Sequence, residues 1–238
     1  MPEIIFNGPS GRLEARYYHS KEPKAPVALV LHPHPLHGGT MNNKVVYSLF
    51  RALVNNGFSV LRFNFRGVGK SQGAYDDGVG ELEDATCAMD WVQDQNPDAG
   101  IYWIAGFSFG AWVAMQLMMR RPEIMSFISV SPPANKYDFS FLSPCTASGL
   151  VVQGAKDTIV PEKHAANLAD KLAMQKNIEI EYKVIEKADH FFRDQMSLLD
   201  NIFTEFIEER LAADRGIASK RRVGKRRRKS RKTKVKPD

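Results

Sequence analysis

Gly106-Phe107-Ser108-Phe109-Gly110 is a G-x-S-x-G motif set between an apolar run that reads as a strand and one that reads as a helix. A serine on such a sharp turn has its hydroxyl pushed clear of the sheet, beside the first free amides of the helix. The glycines two residues before and after leave room for strained backbone to pack closely. The chemistry this suits is acyl transfer, with the serine as nucleophile. It then needs a base to take its proton, an acid to orient that base, and donors for the oxyanion. The motif alone is short enough to arise by chance, so its weight depends on whether the rest of the chain supplies those partners.

Val152-Gln153-Gly154-Ala155-Lys156-Asp157 places an aspartate just beyond the end of an expected strand, with Gly154 for the turn and Pro161 opening the next helix. His190 lies in the loop after the last expected strand. Each has an ordinary reading by itself, Asp157 as a turn residue and His190 as a surface histidine. Together with Ser108 they follow the order Ser, Asp, His and fall at one edge of a parallel sheet, where clefts form. Asp138, after the preceding strand, is the reserve for the acid. Asp189 is adjacent to His190, and neighbouring residues rarely aim their side chains at each other.

The oxyanion donors expected are the Phe109 amide and one from the loop His32-Pro33-His34-Pro35-Leu36-His37-Gly38-Gly39. Pro33 and Pro35 have no N–H, which leaves His34 and Leu36; position favours His34. His32, His34 and His37 have no accompanying carboxylates, so they read as shaping the pocket floor rather than holding a metal. No metal or cofactor is expected. The glycine-rich stretch from Arg66 to Ser71 is not a phosphate loop, because Asn64 stands where the pattern needs glycine.

Positioning these residues takes alternating strands and helices. Strands are expected at 4–6, 13–19, 27–31, 58–65, 101–104, 124–130, 150–152 and 178–185. Helices are expected at 43–55, about 80–95, 111–119, 162–174 and 191–211. This pattern predicts an α/β fold with a mostly parallel sheet of about eight strands covered on both faces. The 238 residues suit one domain, assigned to 1–215, followed by a basic tail at 216–238.

Hydrophobic content of 43% and charged content of 25% are ordinary for a soluble protein. No stretch has signal-peptide or membrane-span character, so cytoplasmic residence is the default expectation. Cys87 and Cys145 are too few for a disulfide framework. The net charge of +6 is unevenly placed: twelve of the 33 basic residues and one of the 27 acidic ones fall in 219–238. That segment carries +11 and the remainder −5. A run that cannot bury apolar surface and repels itself is expected to be disordered, with non-specific polyanion contact as its candidate role.

With Ser108, Asp157, His190, the His32-Pro33-His34-Pro35 loop, Gly38-Gly39-Thr40-Met41 and Asn64-Phe65-Arg66-Gly67-Val68-Gly69, residues 4–210 resemble the α/β-hydrolase superfamily. The nearest likeness is to small bacterial lidless serine hydrolases of the dienelactone-hydrolase-like kind. Dienelactone hydrolases themselves carry cysteine where this chain has Ser108, so their substrate is not carried over. The resemblance implies hydrolysis of carboxylic esters or thioesters, with amides as the alternative. Only 131–148 separates the sixth strand from the acid-bearing one, too short for a large lid. Leu36, Phe107 and Tyr137, with Phe109, Phe139, Phe141 and Leu142, then wall an apolar site for small to medium acyl groups, or are partly core. Two other readings compete: a hydrolase fold tethered to nucleic acid or ribosome by its tail, and a fold retained as a scaffold. A homodimer through an edge strand is common in such folds.

Overall fold

The computed structural model describes residues 3–232 and the side chains of residues 3–216. Its strands are β1 (Glu3–Gly8), β2 (Gly11–Tyr18), β3 (Val27–Leu31), β4 (Ser59–Phe63), β5 (Tyr102–Phe107), β6 (Ile124–Val130), β7 (Ser148–Gly154) and β8 (Ile180–Ile185). Its helices are α1 (Lys44–Asn55), α2 (Val79–Asp94), α3 (Phe109–Arg120), α4 (Glu162–Ala173) and α5 (Met196–Lys232). The strands form one sheet in the order β1-β2-β4-β3-β5-β6-β7-β8. The β1–β2 and β2–β4 pairs are antiparallel and the remaining pairs are parallel.

Strand pleating sorts the core into two layers, since alternate side chains point to opposite faces. Val27, Leu29 and Leu31 pack with α2, α3 and α4, whereas Ala28 and Val30 pack with α1 and α5. Continuous apolar strands such as β3 are thus what burial on both faces requires. Helix ends have identifiable stops. Asn43 caps α1 by accepting from the Val45 amide at 2.9 Å. The buried Glu81 accepts from the Gly78 amide at 2.8 Å and the Asp76 amide at 3.1 Å, which closes the start of α2.

Two expectations differ from the structure. The last helix begins at Met196 rather than 191, because Asp189 accepts the Phe191 and Arg193 amides in a local turn and Phe192 has φ +53°. The segment expected to be disordered from 216 is helical as far as Lys232. Lysine and arginine are good helix formers, and extending an existing helix avoids the cost of nucleation. Residues 233–238 of that expected tail lie outside the described residues. The side of α5 that meets the sheet is held by Asp214, wholly buried, which accepts from Trp103 Nε1 and Ser126 Oγ at 2.7 Å each and from Arg210. Among the described residues no helix is long and apolar enough to cross a membrane.

Candidate active site

Ser108 occupies the turn between β5 and α3 with φ +53° and ψ −120°. A non-glycine residue here carries strain of about 1–3 kcal/mol. Its N–H donates to the Val130 carbonyl at 2.8 Å, which fixes the turn to β6. Both flanking glycines are demanded by backbone contact. A Cβ on Gly106 would lie 2.3 Å from the Gly110 carbonyl oxygen, and one on Gly110 would lie 2.4 Å from that of His32. The start of α3 is therefore pressed against the loop that carries His34.

Asp157 and His190 arrive from the ends of β7 and β8. The two loops are joined by the Lys156 amide donating to the Ala188 carbonyl at 3.0 Å. A Cβ on Gly154 would sit 2.5 Å from that same carbonyl oxygen, so glycine is what lets the loops meet. His190 Nε2 lies 3.2 Å from Ser108 Oγ, and His190 Nδ1 lies 2.7 Å from Asp157 Oδ2. An ionised carboxylate only accepts, so Nδ1 carries the proton and the Nε2 lone pair faces the serine hydroxyl. Asp157 and His190 are each about 5% exposed, which keeps water from competing for these bonds.

The Asp157 carboxylate is satisfied on every side. Oδ1 accepts from the Ile159 and Val160 amides at 2.9 and 2.8 Å, and Oδ2 accepts also from Gln153 Nε2 at 2.9 Å. Burial pushes its pKa up, but the bonds from His190 and the two amides outweigh burial and hold it below the ordinary carboxylate range. Sequence reasoning missed Gln153. The signal was available, since it is the one polar side chain in the run Leu150-Val151-Val152-Gln153 at the end of a strand buried on both faces.

The Phe109 amide, next to Ser108 in the chain, is the first of α3, where helix geometry leaves it without an internal partner. Among the described residues the His34 amide also donates to nothing, while the Leu36 amide is taken by His34 Nδ1 at 3.2 Å. Of the two amides the sequence left open, that of His34 is therefore the unpartnered one among the described residues.

The family described as X-Pro dipeptidyl-peptidase (S15 family) matches residues 9–199. The chain belongs to this family, within the α/β-hydrolase superfamily. An uncharacterized protein of Rickettsia prowazekii, RP471, is 58% identical over 197 residues, covering 81% of this chain and 83% of that one. The structure of ATU1826 from Agrobacterium tumefaciens, a protein of unknown function, has a TM-score of 0.87 at 52% identity and covers 89% of this chain and 97% of that chain. That of XC6422 from Xanthomonas campestris, an α/β serine hydrolase without lid, has a TM-score of 0.76 at 33% identity, covering 87% and 94%.

In this S15-family chain the connection from β6 to β7 holds only a short 3-10 turn at Ser140–Leu142, and no helical cap. Phe107, expected in the pocket, is wholly buried instead. It shares strand parity with Trp103 and Ala105, which face α1 and α5, and its ring backs the His190 ring at 5.1 Å. Leu36 is exposed at the mouth, and Tyr137 packs on Phe109 at 5.9 Å and stacks on Trp112 at 4.3 Å. Phe139 and Leu142 belong to the core and, with Tyr137 and Lys171, line a cleft of about 480 Å³ against α4. Asp138 is exposed and accepts from its neighbour Ser140, away from His190.

The three loop histidines have separate surroundings. His32 is buried, with Nδ1 2.6 Å from the Pro33 carbonyl and Nε2 accepting from the Phe65 amide at 3.0 Å. Those bonds fit only the neutral ring, and burial drops its pKa to about 4. The His34 and His37 rings meet at a tilt, with their centroids 4.5 Å apart. The stretch from Asn64 to Ser71 is a braced turn: Glu14 Oε2 accepts from Asn64 Nδ2 and the Lys70 amide at 2.9 Å each, and Arg66 forms a buried pair with Asp84.

Proposed function

We propose that this protein is a serine hydrolase that cleaves carboxylic ester or thioester bonds of small to medium acyl substrates through an acyl-enzyme intermediate. The observation that carries the reading is the unbroken line of contacts from Ser108 Oγ through His190 to Asp157, with the Phe109 and His34 amides unpartnered among the described residues.

In this mechanism His190 Nε2 takes the Ser108 proton as Oγ attacks the acyl carbon. The carbonyl oxygen becomes an oxyanion, stabilised by the Phe109 and His34 amides. The imidazolium, oriented and stabilised by ionised Asp157, returns the proton to the departing alcohol or thiol as the tetrahedral intermediate collapses. A water then attacks the acyl-serine by the same proton transfers, releasing the acid and restoring Ser108. Among the described residues no helix caps the β6–β7 connection, Leu36 is exposed, and Tyr137 is half-buried against Phe109. These features support an uncharged acyl group reached from open solvent.

A second reading, hydrolysis of an amide or peptide, is favoured by the match to a family described as X-Pro dipeptidyl-peptidase. Parallel assays of p-nitrophenyl butyrate, an acyl-CoA and an Ala-Pro p-nitroanilide separate the two. Ester or thioester turnover exceeding that of the anilide is expected, and the reverse order selects the peptidase. Ser108→Ala is expected to lose fluorophosphonate labelling and at least about 10⁴-fold in turnover. Full activity in that variant removes the reading altogether.

A further inference from the structure

The His34 ring does something its backbone role does not require. Nδ1 accepts the Leu36 amide at 3.2 Å, so it carries no proton, and the neutral ring must be protonated on Nε2. Nε2 lies 3.3 Å from the Tyr75 hydroxyl, which therefore accepts from it. The same ring is wedged between Tyr75 at 4.9 Å and Phe109 at 5.0 Å between centroids. Phe109 carries the other amide assigned to the oxyanion. Pro33 and Pro35 stiffen the loop on either side, while Gly38, at φ +76°, leaves it a soft exit.

We infer that Tyr75 is a positioning residue for oxyanion stabilisation: by holding the His34 tautomer that retains the Leu36 amide, it fixes the His34 backbone N–H relative to the Phe109 N–H. The inference rests on the hydrolase reading above. Without the Tyr75 hydroxyl the ring is free to exchange tautomers or to turn. With the proton on Nδ1, two N–H groups would oppose each other and the Leu36 amide would lose its acceptor, leaving only the His37 and Gly39 amides, which donate to the His34 carbonyl, to hold the turn. The charged groups facing the ring are consistent with neutrality. Burial first, then His37 and Lys136, lower the His34 pKa, opposed by Asp77.

Tyr75→Phe tests this, because it keeps the ring contacts and deletes one hydroxyl from a half-buried site. With p-nitrophenyl butyrate, kcat is expected to fall about tenfold with KM unchanged, less than the loss of a whole oxyanion donor. The ¹⁵N shifts of the His34 ring are expected to move from a single Nε2–H tautomer to a mixture. In a His34→Asn background, where the amide side chain can hold the Leu36 N–H unaided, Tyr75→Phe is expected to have no further effect. An unchanged kcat, a lowered kcat with an unmoved tautomer, or an equal loss in the His34→Asn background each overturns the assignment. Ser108→Ala beside it separates the two levels. Turnover lost there but intact in Tyr75→Phe removes only the role of Tyr75, whereas turnover retained in Ser108→Ala removes the hydrolase reading and this inference with it.

Discussion

Asp157 is the residue whose ionisation couples stability to chemistry. Its folded pKa is depressed, so the unfolded chain takes up the proton at a higher pH than the folded one. The stabilisation is fully present above the ordinary carboxylate range and is lost as pH falls through the folded value. Asp157→Asn is therefore expected to flatten the acid side of the thermal stability curve, measured between about pH 3 and pH 7. The same variant is expected to lower kcat on the order of 10³- to 10⁴-fold, since the amide can hold His190 in the wrong tautomer. Gln153 belongs to the same unit, because its Nε2 bonds both Asp157 Oδ2 and the Val160 carbonyl. Gln153→Leu is expected to raise the Asp157 pKa, read as an upward shift in the acid limb of activity.

The turns at the strand ends owe their shapes to backbone approach and buried charge. Gly106 permits the close crossing of β5 and α3, so Gly106→Ala forces a shift of backbone and not of a flexible side chain. It is expected to cost roughly 2–4 kcal/mol in urea unfolding and to remove fluorophosphonate labelling in the protein that remains folded. The turn after β4 depends on Arg66, whose guanidinium lies in the space a Gly80 Cβ would fill and bonds Asp84 through Nε at 3.1 Å and a second nitrogen at 2.8 Å. Arg66→Met leaves the Asp84 carboxylate buried and without its cation. A loss of about 3–5 kcal/mol is expected from the urea midpoint. The turn from Asn64 to Ser71 is braced from β2 by Glu14, which lies too far away in sequence to be read as a partner.

For the molecule as a whole, catalysis and the basic segment are expected to be separable. Among the described residues Arg210 and Asp214 anchor α5 to the sheet, ahead of the run of +11. Deleting 219–238 is expected to leave turnover of a small ester unchanged and to abolish salt-sensitive retention on RNA. Retention unaltered by the deletion would assign it to the acidic domain, against its charge. The even alternation of apolar and turn segments made the strand count, the parallel sheet and the missing cap legible, because each of these is a local pattern repeated along the chain.

Residue type and order pointed to serine-hydrolase chemistry. A serine between paired glycines, followed by Asp157 and His190 after successive strands, marks candidates for a nucleophile, an acid and a base before any coordinates are known. Prolines that cannot donate narrowed the second oxyanion amide to two. Folding was needed to choose between them, because the Leu36 amide is occupied by a ring nitrogen whose direction depends on a side-chain torsion. It was needed also to send Phe107 into the core, since one position of strand parity decides which face a side chain meets. Tyr75 came into view only with the fold: a hydrogen bond between residues distant in the chain, here 41 positions apart, has no local signature, and is set by how the strand-end loops converge on one edge of the sheet.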